Sequence, residues 1–100
     1  MIFTKEGYLI KAEDWTEALC IDIAQTLNLT LTPLHWQLIH WARAYYQQHD
    51  RLPAMRPLLK LCQQTVDQPL DSLKMNTLFL GHPLPNLAKL AGLPKPPHCM

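Results

Sequence analysis

The chain has little of what marks a larger, secreted or membrane-bound protein. It is 100 residues long with three glycines, and no apolar run approaches the roughly 20 residues that span a bilayer. The first ten residues lack the basic start and long apolar stretch of a signal peptide. A domain usually takes ~100–150 residues. The sequence therefore predicts one cytoplasmic domain over residues 1–100, with no membrane partner.

Charge is also sparse. Charged residues make up 17% of the chain, below the ~25% of a typical soluble domain, while 48% are hydrophobic, which excludes disorder. Residues 1–30 carry two lysines against five carboxylates, and the remaining residues are positive by four charges. So mild an excess suits docking on an acidic protein surface at least as well as binding nucleic acid, which requires a dense basic patch. Direct nucleic-acid binding is not expected.

The usual sequence marks of a bound cofactor or metal are missing. Three cysteines without a CxxC spacing do not form a disulfide framework, so at least one thiol should be free. The five histidines show neither HxxxH nor HExxH spacing, and the glycines are too scattered for a phosphate loop. We expect no metal and no cofactor. Cys20 and Cys62 lie in apolar helical stretches and are predicted to be small buried hydrophobes.

Hydrophobic periodicity and capping residues predict a mainly α fold, a bundle of about five helices. Asp14 and Glu17 resemble a capping box, Thr32 and Pro33 form a second helix start, and Pro57 should lie in the first turn of the third helix or kink it. Residues 1–10 indicate a short extended piece or β-hairpin. The expected helices run from about Trp15 to Leu27, from Pro33 to Gln48, from Pro53 to Val66, from Leu70 to near Gly81 and from Pro85 to Ala91.

The C-terminus predicts an arm. Residues 93–100 contain three prolines, which favour an extended path that reaches ~26 Å. We predict a folded body over residues 1–92, ended by Gly92, and a flexible arm over residues 93–100 that carries Cys99. Cysteine is mostly a buried residue type, so a thiol near the end of an exposed arm is unusual. The arm could carry this thiol into a pocket of a partner protein. Spacing alone leaves open that this cysteine is incidental.

Neighbouring residues should set the geometry and the thiolate environment of Cys99. His98 and Lys95 would favour the thiolate, whereas the terminal carboxylate would oppose it. The residues expected to shape the arm are Gly92, Leu93, Pro94, Lys95 and Pro96. The candidate residues for docking a partner are Trp36, Tyr46, Arg56 and Lys89.

Two other functions remain open from the residues alone. The helix ending near Gln48, a short turn and the helix bearing Arg56 and Lys60 outline a helix-turn-helix, as in a DNA-binding regulator. The low net charge and Pro57 inside the would-be recognition helix speak against it. A third reading is a docking protein whose arm only plugs a partner's channel.

The last thirteen residues resemble the ending of the TusE/DsrC/DsvC family, which closes with AGLPKP, two variable residues, a cysteine and one last residue. Here the string is AKLAGLPKPPHCM, and EGYL, LTPLHW and PAMR occur in the family's order. The resemblance implies a DsrC-like helical fold with a small N-terminal β-hairpin and a mobile C-terminal arm. It also implies a sulfurtransferase that carries a persulfide on Cys99.

The resemblance further implies a branch of that family. DsrC-type members carry a second arm cysteine eleven residues before the penultimate one, and here that position is Ala88. TusE-like members accept sulfur from a TusBCD-type complex and deliver it to the enzyme that 2-thiolates the wobble uridine of tRNA. Departures from the family at residues 67–72 and 81–83 keep open a carrier in dissimilatory sulfur oxidation or sulfite reduction.

Overall fold

A computed structural model describes residues 2–97 of the chain. Five helices follow a short 3-10 turn at Ala12–Asp14, which confirms the mainly helical prediction. They are α1 (Glu17–Thr26), α2 (Pro33–His49), α3 (Met55–Gln63), α4 (Ser72–Leu78) and α5 (Pro83–Leu90). Within residues 2–97, no helix is both long and apolar enough to cross a membrane.

The start of α2 is built as the sequence predicts. Thr32 is the N-cap and Pro33 occupies the first helical position, where its missing N–H is not needed. The Thr32 backbone N–H donates to Nδ1 of His35 at 3.1 Å, and Nε2 of His35 lies 2.7 Å from the carbonyl oxygen of Leu78. Because Nδ1 accepts, Nε2 carries the proton and donates. This buried histidine therefore ties α2 to the end of α4.

Every helix start except that of α2 differs from its prediction by two residues, and α3 begins at Met55 instead of Pro53 and α4 at Ser72 instead of Leu70. The capping box of Asp14 and Glu17 is wrong, because Asp14 belongs to the 3-10 turn and Thr16 caps α1 by accepting from the Leu19 N–H at 3.0 Å. Helix α5 begins at Pro83, two residues before the predicted start. Proline is tolerated throughout the first turn, where N–H groups have no helical partner, so Pro85 fits inside it. Pro57 does lie in the first turn of α3, as expected.

The predicted N-terminal β-hairpin is wrong as a pair of strands, since no strand forms among residues 2–97. One antiparallel bridge joins Phe3 to Leu9, supported by a 2.7 Å hydrogen bond from the Thr4 N–H to the Tyr8 oxygen. A segment this short, with no third strand beside it, cannot extend the ladder. It makes a closed turn that packs Tyr8 and Leu9 into the body.

Helix α5 lies at the centre of the fold. It contacts α1, α2 and α4, and its Leu87, Ala88 and Leu90 are fully buried. Cys20 and Cys62 are also fully buried, which confirms the prediction made for them. Because α5 is held on several sides, the chain that leaves its C-terminal end starts from a fixed point.

Candidate functional site

The C-terminal end of α5 is closed by a left-handed turn at Gly92. Its φ is +71°, and the N–H groups of Gly92 and Leu93 donate back to the carbonyl oxygens of Lys89 and Ala88 at 3.3 and 2.9 Å. This pattern satisfies carbonyls that a helix end leaves without partners. The predicted stop of the helix at Gly92 is confirmed.

Gly92 is also the place where the backbone meets an aromatic ring. A Cβ added there would lie 2.6 Å from Cδ1 of Trp15, so no side chain fits without displacing that ring. Trp15 is held in place because its Nε1 donates to the carbonyl oxygen of Leu90 at 2.7 Å. The missing side chain therefore lets α5 end directly against the indole.

Arg43 completes this arrangement from α2. Its Nη1 donates to the carbonyl oxygen of Ala91 at 2.7 Å, and its guanidinium carbon lies 4.2 Å from the centre of the Trp15 ring. A cation at a helix C-terminus also complements the helix dipole. Partial burial lowers the pKa of Arg43, and the charge of Cys20 partly offsets this effect. We call Trp15, Arg43 and Gly92 the arm clamp, since they fix the residues from which the arm departs.

Sequence reasoning missed Arg43. It lies on the predicted second helix, but its carbonyl partner is Ala91, 48 residues away. The sequence around Arg43 does not distinguish it from an arginine that is exposed to solvent on the surface of a helix. The one available signal was a charged residue next to the apolar positions Ile39 and Ala42, which the structure buries.

The described part of the arm, residues 93–97, lies against the body. Leu93 and Pro96 are buried, whereas Pro94, Lys95 and Pro97 are exposed. The Lys95 Nζ lies 2.8 Å from Oε2 of Glu6, in an ion pair whose side chains are both about half exposed. The body residues that form a depression of about 120 Å³ with Pro94–Pro97 are Tyr46, Asp50, Arg51 and Leu52. The predicted residues His98 and Cys99 lie outside the described residues.

The thiols of Cys20 and Cys62 are unreactive. Burial raises the pKa of Cys20 to about 11, with a further raising effect from Glu17 that Arg43 partly offsets. Burial alone raises the pKa of Cys62 to about 12. The thiolate is the nucleophilic form, so neither side chain is reactive near neutral pH. Within residues 2–97, no three His, Cys, Asp or Glu side chains come close enough to hold a metal ion.

The four predicted docking residues do not share one surface. Trp36 lines a depression with Ile21 and Leu31, and Arg56 lines another on α3. Tyr46 lines a depression together with the arm, and Lys89 lines a groove beside the N-terminal turn. Of the four, Tyr46 is the one that the structure places beside residues 94–97.

One residue of the predicted recognition helix, Gln63 on α3, makes hydrogen bonds within the protein. On α3, Arg56, Lys60 and Gln63 are exposed and surround a shallow depression. The side chain of Gln63 donates to the carbonyl oxygen of Gln68 at 2.8 Å and accepts from the N–H of Leu70 at 2.6 Å. It therefore braces the loop before α4 and is not available to read bases.

Known proteins match the chain over nearly its full length. Sulfurtransferase TusE of Sodalis glossinidius (strain morsitans) is 41% identical over 96 residues, which are 95% of this chain and 89% of that protein. Sulfurtransferase TusE of Escherichia coli (strain K12) is 33% identical over the same length, 95% of this chain and 88% of that protein.

Solved structures give the same fold. The NMR structure of DsrC from Allochromatium vinosum matches with a TM-score of 0.87 and 33% identity, covering 98% of this chain and 88% of that one. The crystal structure of the oxidized gamma-subunit of the dissimilatory sulfite reductase (DsrC) from Archaeoglobus fulgidus matches with a TM-score of 0.86 at 28% identity, covering 98% and 90%. The family model described as DsrC like protein matches residues 1–100, and the chain belongs to that family.

Proposed function

We propose that this protein is a sulfurtransferase that carries a sulfane sulfur as a persulfide on Cys99. Membership of the DsrC-like family and the name Sulfurtransferase TusE, borne by relatives 33–41% identical, support a carrier role in a sulfur relay. The proposal adds to this role the residue that does the work, the arm that presents it and the pathway that it serves.

The state of the thiols carries the assignment to Cys99. The sequence has three cysteines, and two of them, Cys20 and Cys62, are fully buried with their pKa values raised to about 11 and 12. A partner's persulfide cannot reach either sulfur unless the core opens. Cys99 is the remaining thiol, and it stands in the position of the family's penultimate cysteine.

The chemistry needs no cofactor. The Cys99 thiolate attacks the outer sulfur of a donor persulfide, so a new S–S bond forms at Cys99 as the S–S bond in the donor breaks. The donor leaves as a thiolate, and Cys99 holds –S–SH. An acceptor thiolate then attacks that outer sulfur, takes it as its own persulfide and restores the Cys99 thiolate. No net oxidation or reduction occurs in either step.

The arm clamp supports the proposed division into a body over residues 1–92 and an arm over residues 93–100. Because Trp15 and Arg43 fix the carbonyls of Leu90 and Ala91, the point of departure stays constant while the arm beyond it changes partners. Lys95 forms a half-exposed ion pair with Glu6, and pairs of this kind contribute little to stability. In this proposal Gly92 keeps its turn, and the arm beyond it changes its path when it enters a partner.

For the pathway, we propose the cytoplasmic relay that 2-thiolates the wobble uridine of tRNA. The donor would be a TusBCD-like complex, and the acceptor the tRNA-thiolating enzyme with its tRNA. Ala88 supports this choice, since it stands where DsrC-type members carry their second cysteine, and without that cysteine Cys99 has no partner for the disulfide those members can form. Ala88 is fully buried in α5.

Loading with sulfur tests the proposal directly. The protein is incubated with a cysteine desulfurase, its relay complex and L-cysteine, and each cysteine peptide is then analysed by mass spectrometry. We expect one added sulfur at Cys99 in the wild type and none in Cys99→Ser. A Cys20→Ala variant is the matched control and should load like the wild type. Added sulfur confined to Cys20 or Cys62 would contradict the assignment.

A further inference from the structure

Leu93, the first residue after the Gly92 turn, belongs to the core. Its side chain is 2% exposed and lies in the same buried cluster as Leu87 and Leu90 of α5. Its N–H donates to the carbonyl oxygen of Ala88 at 2.9 Å, which is the outer hydrogen bond of a Schellman motif. In that motif an apolar residue at this position commonly packs back onto the last turn of its own helix. Leu93 therefore ends the folded body, one residue later than Gly92.

The chain becomes exposed and proline-rich directly after Leu93. Pro94 and Lys95 are exposed, and the three prolines of this segment have no N–H with which to bond to the body. A proline has a fixed φ, and it also restricts the residue before it to extended backbone. Because Leu93, Lys95 and Pro96 each precede a proline, every residue from Leu93 to Pro97 is restricted. The segment is therefore a stiff connection between the body and the thiol.

The length of this connection limits where the thiol can act. Cys99 is the sixth residue after Leu93. At ~3.3–3.6 Å per residue, it reaches at most about 21 Å from a fixed point at Leu93. If the end of α5 unwound back to Ala88, the reach would be about 38 Å, and the thiol would search a much larger volume. A fixed point at Leu93 therefore keeps the thiol at a high effective concentration in a partner that is docked within reach.

Two sets of contacts hold this part of the chain. The burial of Pro96 and the ion pair of Lys95 act only while the arm lies on the body. The buried side chain of Leu93 and the arm clamp come before the first proline, so they stay intact when the arm leaves. Once the arm has entered a partner, the end of α5 is held by Leu93 and the arm clamp.

We propose that Leu93 is a positioning residue for sulfur transfer: it stays in the core as a fixed pivot, and residues 94–99 move about the Leu93–Pro94 junction when the arm enters a partner. This inference rests on the proposed function. It moves the start of the arm from residue 93 to residue 94. It also sets a requirement for the donor and the acceptor, whose reacting sulfur must come within about 21 Å of the pivot.

A pair of leucine truncations tests the pivot. Leu93→Ala removes its packing, and Leu58→Ala is the matched control, since Leu58 is fully buried on α3 and does not line the depression that holds the arm. Each protein is loaded at Cys99 with inorganic polysulfide, which needs no docking. Single-turnover transfer to increasing amounts of the purified tRNA-thiolating enzyme with tRNA is then measured below the unfolding transition.

The pivot predicts a loss of maximal rate without a loss of docking. We expect Leu93→Ala to lower the maximal transfer rate about tenfold or more and to change the half-saturating enzyme concentration less than about twofold. Leu58→Ala should change both quantities less than about twofold. Leu93→Met keeps the volume of the side chain and should restore the rate.

Hydrogen exchange gives a readout that needs no substitution in the core. Peptides that cover Leu93 are followed in the wild-type protein alone and in its complex with the same enzyme and tRNA. We expect the Leu93 amide to exchange no faster in the complex, because its hydrogen bond to Ala88 stays intact. Exchange about tenfold faster in the complex would show that the end of α5 unwinds, and it would overturn the pivot.

Two kinetic results would also overturn the pivot while leaving sulfur carriage intact. Equal slowing by Leu93→Ala and Leu58→Ala would mean that Leu93 matters only as a core residue. A raised half-saturating concentration with an unchanged maximal rate in Leu93→Ala would mean that Leu93 serves docking. Failure of the wild type to pass sulfur from Cys99 at all would instead overturn the proposed function.

Discussion

Replacing Gly92 with alanine tests whether the end of α5 depends on a missing side chain. At φ +71°, a residue with a Cβ costs about 1–2 kcal/mol. The new Cβ would also lie 2.6 Å from Cδ1 of Trp15, and that ring cannot retreat freely because its Nε1 is bonded to Leu90 and Arg43 covers its face. Forced overpacking costs about 1–3 kcal/mol. We expect Gly92→Ala to lower the free energy of unfolding by about 2–5 kcal/mol in total.

Gly81→Ala is the matched control. Its φ is +87°, but a Cβ there would have no neighbour within 4 Å, so it carries the backbone cost without the steric one. Urea unfolding followed by far-ultraviolet circular dichroism measures both variants against the wild type. A domain of this size has roughly 5–15 kcal/mol of stability, so the difference is large enough to resolve. Equal destabilisation of the two variants would refute the argument that Trp15 closes on Gly92.

Three further changes test other contacts. Trp15→Phe removes the donor to the Leu90 carbonyl and should lower the free energy of unfolding by about 1–3 kcal/mol in the same assay. An unchanged free energy of unfolding would contradict a stabilising role for that hydrogen bond. Thr32→Ala should cost about 1 kcal/mol by removing the N-cap of α2, and an unchanged urea midpoint would contradict this. Burial keeps the thiols of Cys20 and Cys62 protonated in the folded state, so above their ordinary pKa of 9.0 the unfolded chain binds fewer protons than the folded one. Their stabilising contribution is complete below pH 9.0 and declines as the pH rises from there to their folded pKa values of about 11 and 12. Urea midpoints measured at several pH values should therefore fall less steeply above pH 9.0 in the variant with both cysteines replaced by alanine than in the wild type. An identical pH dependence of the two proteins would contradict this expectation.

Local sequence patterns predicted the helices well where the capping chemistry was unambiguous. Thr32 followed by Pro33 defines the start of α2, and Gly92 ends α5, because few residue types suit those positions. The pattern failed at Asp14, since Trp15 adopts an extended backbone after the 3-10 turn and Thr16 takes over as the cap of α1. That choice depends on where the indole packs, which is a tertiary fact.

The part of the candidate site that local sequence determines was predictable, and the part that depends on long-range contacts was not. The family's C-terminal string pointed to Cys99 and to Gly92, because it is contiguous in sequence. Arg43 was not predictable, since it acts on a carbonyl 48 residues away. The ion pair between Lys95 and Glu6 spans 89 residues, and neither residue's neighbours indicate the other. Long-range contacts of this kind leave no periodic signal.

The most direct test of sulfur carriage is to follow one labelled sulfur through the protein. Cys99 is loaded with radiolabelled sulfane sulfur, excess donor is removed, and the tRNA-thiolating enzyme, ATP and tRNA are added. We predict that the label leaves Cys99 and appears on the tRNA in proportion to the amount loaded, and that Cys99→Ser transfers none. Label that stays on the protein, or equal transfer by Cys99→Ser, would contradict the account.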